Sequence, residues 1–289
     1  MRRTLVVMLG LLVVLLAVAG CGDTTTTTET TAAPAETTTT AAPAETTTTT
    51  ADTTASADSS WQAVQDRGEL WVGLCAEYPP FESRNESTQQ PEGFNVDLAN
   101  ALGEKLGVKV VVKDSAWEGL LGGILKGDYD VLITAMSREE AAAETVNMSD
   151  TYYDLSEVIV VKEDNTDIKS AQDLEGKIVG CQSGTSSEKA VDRLTGLKEV
   201  KRYNRNPEAF LDLRNGRSDA VVVGIAYAAT EAKREAGLKV IDSPVATQEL
   251  VFVSKAGGDA LTEQLNKALA EVKADGTYDK LVETWLSVK

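Results

Sequence analysis

Hydrophobic and polar positions along residues 61–289 alternate between two periods. Runs of four to seven apolar, β-branched residues alternate with stretches in which apolar residues recur every three or four positions, so strands alternate with helices. Residues 69–75 read as a buried strand. Residues 94–106 read as a helix with Phe94, Leu98, Ala101, Leu102 and Leu106 on one face. A strand at 108–113 follows. Trp117, Leu120, Leu121, Ile124 and Leu125 then form a helical apolar stripe that stops at Gly127. Strands are predicted at 130–134 and 158–162. A second series has strands at 177–181, 200–203, 219–223 and 238–241, with helices from Thr185, at 207–215 and at 226–236. A late strand at 250–254 and helices at 260–273 and 278–286 close the pattern. This is an α/β chain with largely parallel sheets in two units.

The first 60 residues follow other rules. Arg2 and Arg3 precede an apolar run at 5–19 and the small-residue stretch Val18-Ala19-Gly20-Cys21. Two cations, a short apolar core and small residues read as a secretory signal over 1–20. An apolar run of this length is at the short end for a membrane span, which needs about 20 residues. Residues 23–60 are nearly all Thr, Ala, Glu, Pro, Asp and Ser. Such a tract buries too little to offset the entropy of ordering, so residues 21–60 read as a tether. Stretched, it would reach about 120 Å at roughly 3.3 Å per residue.

Charge and composition exclude several classes of function. The formal net charge is −17, which opposes nucleic-acid binding. The chain has no histidine, which removes the commonest general base, the Ser-His-Asp triad and nearly all zinc chemistry. Cys75 and Cys181, the two cysteines besides Cys21, make no disulfide framework or metal cluster, and small buried apolar residues are their expected role. No cofactor or metal is expected.

In open α/β sheets, ligands sit beyond the carboxyl ends of strands. The loops found there are Glu77-Tyr78-Pro79-Pro80-Phe81, Thr134-Ala135-Met136-Ser137, Gln182-Ser183-Gly184-Thr185-Ser186 and Gly224. With Gly93-Phe94-Asn95-Val96-Asp97-Leu98, Trp117, Gly127-Asp128-Tyr129-Asp130, Ser149-Asp150, Tyr152-Tyr153 and Gly176-Lys177-Ile178-Val179-Gly180 in the same order, the chain resembles the polar amino-acid solute-binding proteins (family 3) of bacterial ABC importers. A cysteine at the signal cleavage point likewise resembles the lipobox of bacterial lipoproteins, which implies lipid on Cys21 and a membrane-anchored, extracytoplasmic location.

The resemblance implies a two-lobed periplasmic-binding-protein fold. Lobe 1 would comprise residues 61–157 and 250–289 and lobe 2 residues 158–249, with hinge strands around 158–162 and 250–253. It implies a ligand between the lobes: Tyr78, Phe81 and Trp117 as aromatic walls; Thr134, Ala135, Ser137 and Ser183 offering backbone and hydroxyl groups; and Thr185, at a helix mouth, meeting a carboxylate. It also implies a monomer that delivers a small solute to an ABC transporter permease.

Two positions depart from the family pattern. Its carboxylate-binding arginine falls on Ala142 and its ammonium-binding aspartate on Gly224. A buried zwitterion needs a partner at each end, so weak binding of common α-amino acids is expected. Arg138, one helical turn before Ala142, is the alternative guanidinium. Trp117 also suits core packing, Thr185-Ser186-Ser187-Glu188 suits a capping box, and Glu139, Glu140 and Glu144 suit a solvated face. Two other readings stay open: a sensor or adaptor on the same fold, and a dehydratase-like enzyme with Glu77 as its acid.

Overall fold

The computed structural model describes residues 58–287. The signal, Cys21 and most of the tether lie outside them. Chain order begins with α1 (Ser60–Arg67), β1 (Glu69–Leu74), β2 (Glu77–Tyr78), β3 (Glu82–Arg84), β4 (Pro91–Glu92), α2 (Phe94–Leu106) and β5 (Lys109–Asp114). A 3-10 turn at Trp117–Gly119 leads into α3 (Leu120–Lys126), then β6 (Val131–Leu132), α4 (Arg138–Ala141), β7 (Val146–Met148) and β8 (Tyr153–Lys162). The second series is β9 (Ile178–Gln182), α5 (Ser186–Asp192), β10 (Glu199–Tyr203), α6 (Asn206–Arg214), β11 (Ala220–Gly224), α7 (Ile225–Arg234) and β12 (Leu238–Leu250). The chain returns through β13 (Val253–Lys255), α8 (Asp259–Ala274) and α9 (Thr277–Leu281), which ends in a π turn at Val282–Leu286.

Two five-stranded sheets result, one per lobe. The first has the order β5-β1-β6-β13-β7, with β1 parallel to β5 and β6 and with β13 antiparallel to both of its neighbours. The second has the order β10-β9-β11-β8-β12, with β9 parallel to β10 and β11 and with β8 antiparallel to both of its neighbours. Each sheet is thus a parallel core of three strands with an antiparallel pair on one side. Val158, Ile159, Val160 and Val161 are all buried because helices cover both faces of the second sheet there. In lobe 1, Leu98, Ala99 and Leu102 of α2 pack with Leu261, Leu265 and Leu269 of α8.

The strand predicted at 238–241 is much longer. Past Ile241 the pairing of β12 with β8 is interrupted, then resumes from Ala246↔Glu157 to Leu250↔Tyr153. This ribbon runs between the two sheets: Tyr152 donates its N–H to Leu250 O, and Val158 pairs with Val223 in the second sheet. The sequence pattern also omits the three-stranded sheet β2-β3-β4, whose strands are two or three residues long. That small sheet matters for the site, because it carries Tyr78 and Glu82. It is pinned where Gly93, at φ 127°, opens α2. A Cβ at Gly93 would lie 2.5 Å from Phe81 O, so only glycine lets α2 start against this strand.

Candidate functional site

A cleft between the lobes, with about 520 Å³ of space including its open mouth, lies beyond the carboxyl ends of β1, β6 and β9. Lobe 1 lines it with Cys75, Glu77, Tyr78, Glu82, Trp117, Ala135 and Glu140. Gln182, Thr185, Ser186, Ser187 and Asn206 face them from lobe 2, and Leu155 of the connecting ribbon forms part of the wall.

The chemistry of this lining is acidic. Glu82 is 1% exposed and accepts three hydrogen bonds: from Thr134 Oγ1 at 2.6 Å, Ala135 N at 3.2 Å and Asn95 Nδ2 at 2.5 Å. Burial pushes its carboxyl up to about 7 against the pull of those bonds. Glu140 is also buried. Its carboxylate accepts the backbone N–H of Ser137 at 2.5 Å and, from across the cleft, that of Ser186 at the start of α5. Desolvation raises it too to about 7, with nearby Glu157 adding to the shift. Glu157, on β8, accepts both hydroxyls of the opposite wall, Ser186 Oγ and Ser187 Oγ, each at 2.7 Å. Burial raises its carboxyl as well. Among the described residues no Lys or Arg lines this space. The nearest cations are engaged elsewhere: Arg205 with Glu77 at the mouth at 2.6 Å, and Lys189 with Glu139 O.

Aromatic rings form the rest. The Trp117 indole N–H donates to Gly184 O across the cleft at 3.3 Å. Tyr78 stacks between Phe81 and Tyr227 of lobe 2, at centroid distances of 6.0 and 5.0 Å. Its hydroxyl abuts Gly224, where a Cβ would lie 2.3 Å from Tyr78 Oη and 2.8 Å from Leu155 Cδ2. The Tyr78 hydroxyl therefore occupies the space that a side chain at position 224 would need.

Of the residues singled out from sequence, Tyr78, Trp117, Ala135 and Thr185 line the cleft together. Thr185 caps α5, accepting Glu188 N at 3.3 Å, while its own hydroxyl donates to Gln182 O at 2.7 Å. Phe81 is fully buried behind Tyr78. Thr134 and Ser137 are also fully buried, the first supporting Glu82 and the second capping α4. Ser183 lies in the neighbouring groove beyond Trp117 and donates its N–H to Tyr203 O at 2.8 Å. Cys75 and Cys181 are buried free thiols, and Cys75 reaches the cleft wall.

The expectation that Glu140 belongs to a solvated face with Glu139 and Glu144 is corrected. Ser137 and Glu140 form a capping box that turns the glutamate inward. Arg138, the guanidinium suggested as an alternative from sequence, does not line the cleft. It bonds Glu249 at 2.9 Å and Ser149 O at 3.2 Å, away from the cleft. Ala142, the C-cap of α4, is exposed. Sequence reasoning passed over Glu82, Glu157 and Asn206, and it placed Ser186 and Ser187 only in the loop and cap that open α5. The Ser137-x-x-Glu140 spacing was a usable signal for Glu140, and an acid beside the apolar run at 158–161 for Glu157.

Comparison with known proteins agrees with this geometry. The profile of the bacterial extracellular solute-binding proteins, family 3, matches residues 70–288. The chain belongs to this family. It is 33% identical over 219 residues to the ABC transporter arginine-binding protein 1 of Escherichia coli K12, covering 74% of this chain and 88% of that protein. Among solved structures, an ancestral arginine-binding protein bound to arginine superposes with a TM-score of 0.71 at 39% identity, over 76% of this chain and 99% of the other. An ancestral amino-acid-binding protein, described as a precursor of cyclohexadienyl dehydratase, superposes with a TM-score of 0.72 at 35% identity, over 78% and 99%. The solute-binding fold and role thus hold for this chain.

Proposed function

We propose that this protein captures one small solute in the cleft described above, closes on it, and hands it to the permease of an ABC importer while a lipid on Cys21 holds it at the extracytoplasmic face of the membrane. The observation that carries the reading is the set of bonds that span the cleft: Trp117 to Gly184, Arg205 to Glu77 and Glu140 to Ser186. Each joins a side chain of one lobe to the other, so a bound solute and these contacts favour the same closed state. The natural hinge is the two-stranded ribbon at 153–157 and 246–250, the segment of β8 and β12 that runs between the sheets. Tyr78, Trp117, Ala135, Thr185 and the buried glutamates would form the binding surface.

Catalysis is not part of the proposal. Glu77, the acid suggested by sequence, is exposed at the mouth and held by Arg205. The other acids of the cleft are engaged by backbone and hydroxyl donors. Thermal unfolding against a solute panel tests the reading. A solute at a hundred times its dissociation constant adds about 2.7 kcal/mol, and the same solute should shrink the radius of gyration in small-angle scattering. Stabilisation with an unchanged radius would refute closure. No stabilisation by any solute would refute capture.

A further inference from the structure

The solute-capture reading leaves open what charge the cleft receives. We infer that it takes a small organic cation carrying amine or guanidinium groups and no carboxylate.

The first support is the polar inventory. Glu82 and Glu140 reach the cleft, and Glu157 stands directly behind Ser186 and Ser187. Both serine hydroxyls donate to Glu157, so their oxygens can only accept from a ligand. The Thr134 hydroxyl is likewise directed at Glu82. The second support is independent of the acids. Asn206 lines the cleft at 4% exposure, and its Oδ1 has no hydrogen-bond partner. A buried orphan acceptor of this kind calls for a donor. The third is the half-buried Trp117 ring, which lines the cleft and whose π-system attracts cations.

An α-carboxylate finds no matching place. The backbone N–H groups of Ser137 and Ser186, which face each other across the cleft, already hold the carboxylate of Glu140. A ligand carboxylate would have to displace it or lie beside it. No Lys or Arg among the described lining residues would offset either charge. The protein supplies its own carboxylate where an amino acid would bring one.

The test uses matched pairs with identical cations, arginine against agmatine and lysine against cadaverine, titrated calorimetrically into the protein at pH 8. The decarboxylated member of a pair is expected to bind at least about 100-fold more tightly, since an uncompensated buried charge costs that much or more. Glu140→Ala, which vacates the two N–H groups, is expected to shrink that ratio at least about tenfold by admitting the amino acid. Arginine or lysine binding as tightly as its decarboxylated partner overturns the inference and leaves solute capture intact. So does tight binding of a neutral or anionic solute from the same panel when neither cation binds. A protein that binds no solute of any charge fails the capture reading itself, and the inference with it.

Discussion

Glu82→Gln should stabilise the unliganded protein at pH 8 and leave it nearly unchanged at pH 5. Burial places the Glu82 carboxyl at about 7 in the folded chain, against 4.5 for the free side chain. A carboxyl raised in this way stabilises the fold fully below pH 4.5, and that stability drains away as pH rises through 7. At about 1.4 kcal/mol per pH unit the loss is on the order of 3 kcal/mol, a large share of a typical total of roughly 5–15 kcal/mol. Glutamine carries no charge and avoids the loss. It can also keep the hydrogen bonds: Oε1 still accepts Thr134 Oγ1 and Ala135 N, and Nε2 can donate to Asn95 Oδ1, which is otherwise buried without a partner, once that amide turns over. Urea unfolding at pH 5, 6, 7 and 8 reads the effect. The unmodified protein should weaken steadily from pH 5 to 8. The variant should exceed it by about 3 kcal/mol at pH 8 and match it within about 1 kcal/mol at pH 5. A wild-type stability that is flat or rising across this window, or a variant weaker at pH 8, would refute the reasoning.

Other outcomes follow from single contacts. Trp117→Ala removes a cleft wall and the bond to Gly184, so solute affinity should fall at least about tenfold in calorimetry. Gly224→Ala drives a methyl into Tyr78 Oη and Leu155, and should cost about 1–3 kcal/mol in denaturant titration. Cys21→Ser should move the protein out of the membrane fraction or leave its signal uncleaved. Retention with normal processing would show that lipid on Cys21 is not the anchor.

Much of the architecture was legible because burial on both faces forces apolar runs and amphipathic helices force a period. The α2 bounds, Phe94–Leu106, come directly from the stripe that ends at Gly107. The β2–β4 sheet was not legible, because strands of two or three residues have no period to read. Nor was the length of β12, since its middle residues, Asp242, Ser243 and Pro244, look like a turn and pair with nothing in β8. The site divides in the same way. Tyr78, Trp117 and Thr185 follow from motif order, and all three line the cleft. The buried glutamates do not, because an acid's sign and position in sequence say nothing of burial. Glu140 turns inward through a capping box, the same spacing that was recognised at Thr185 and Glu188.

On the cation reading, the bound solute meets Glu82 and Glu140 in the cleft and draws them into their charged forms. Burial raises both carboxyls to about 7 in the empty cleft, so both are partly protonated at neutral pH; Glu157, Tyr78, Tyr152, Cys75 and the Arg84-paired Asp114 lie around them, and no Lys or Arg among the described residues lines the space. Agmatine binding measured calorimetrically at pH 7 in two buffers of different ionisation enthalpy should therefore release protons, and the release should fall towards zero at pH 9. Proton uptake on binding, or a released proton that persists unchanged at pH 9, would contradict it.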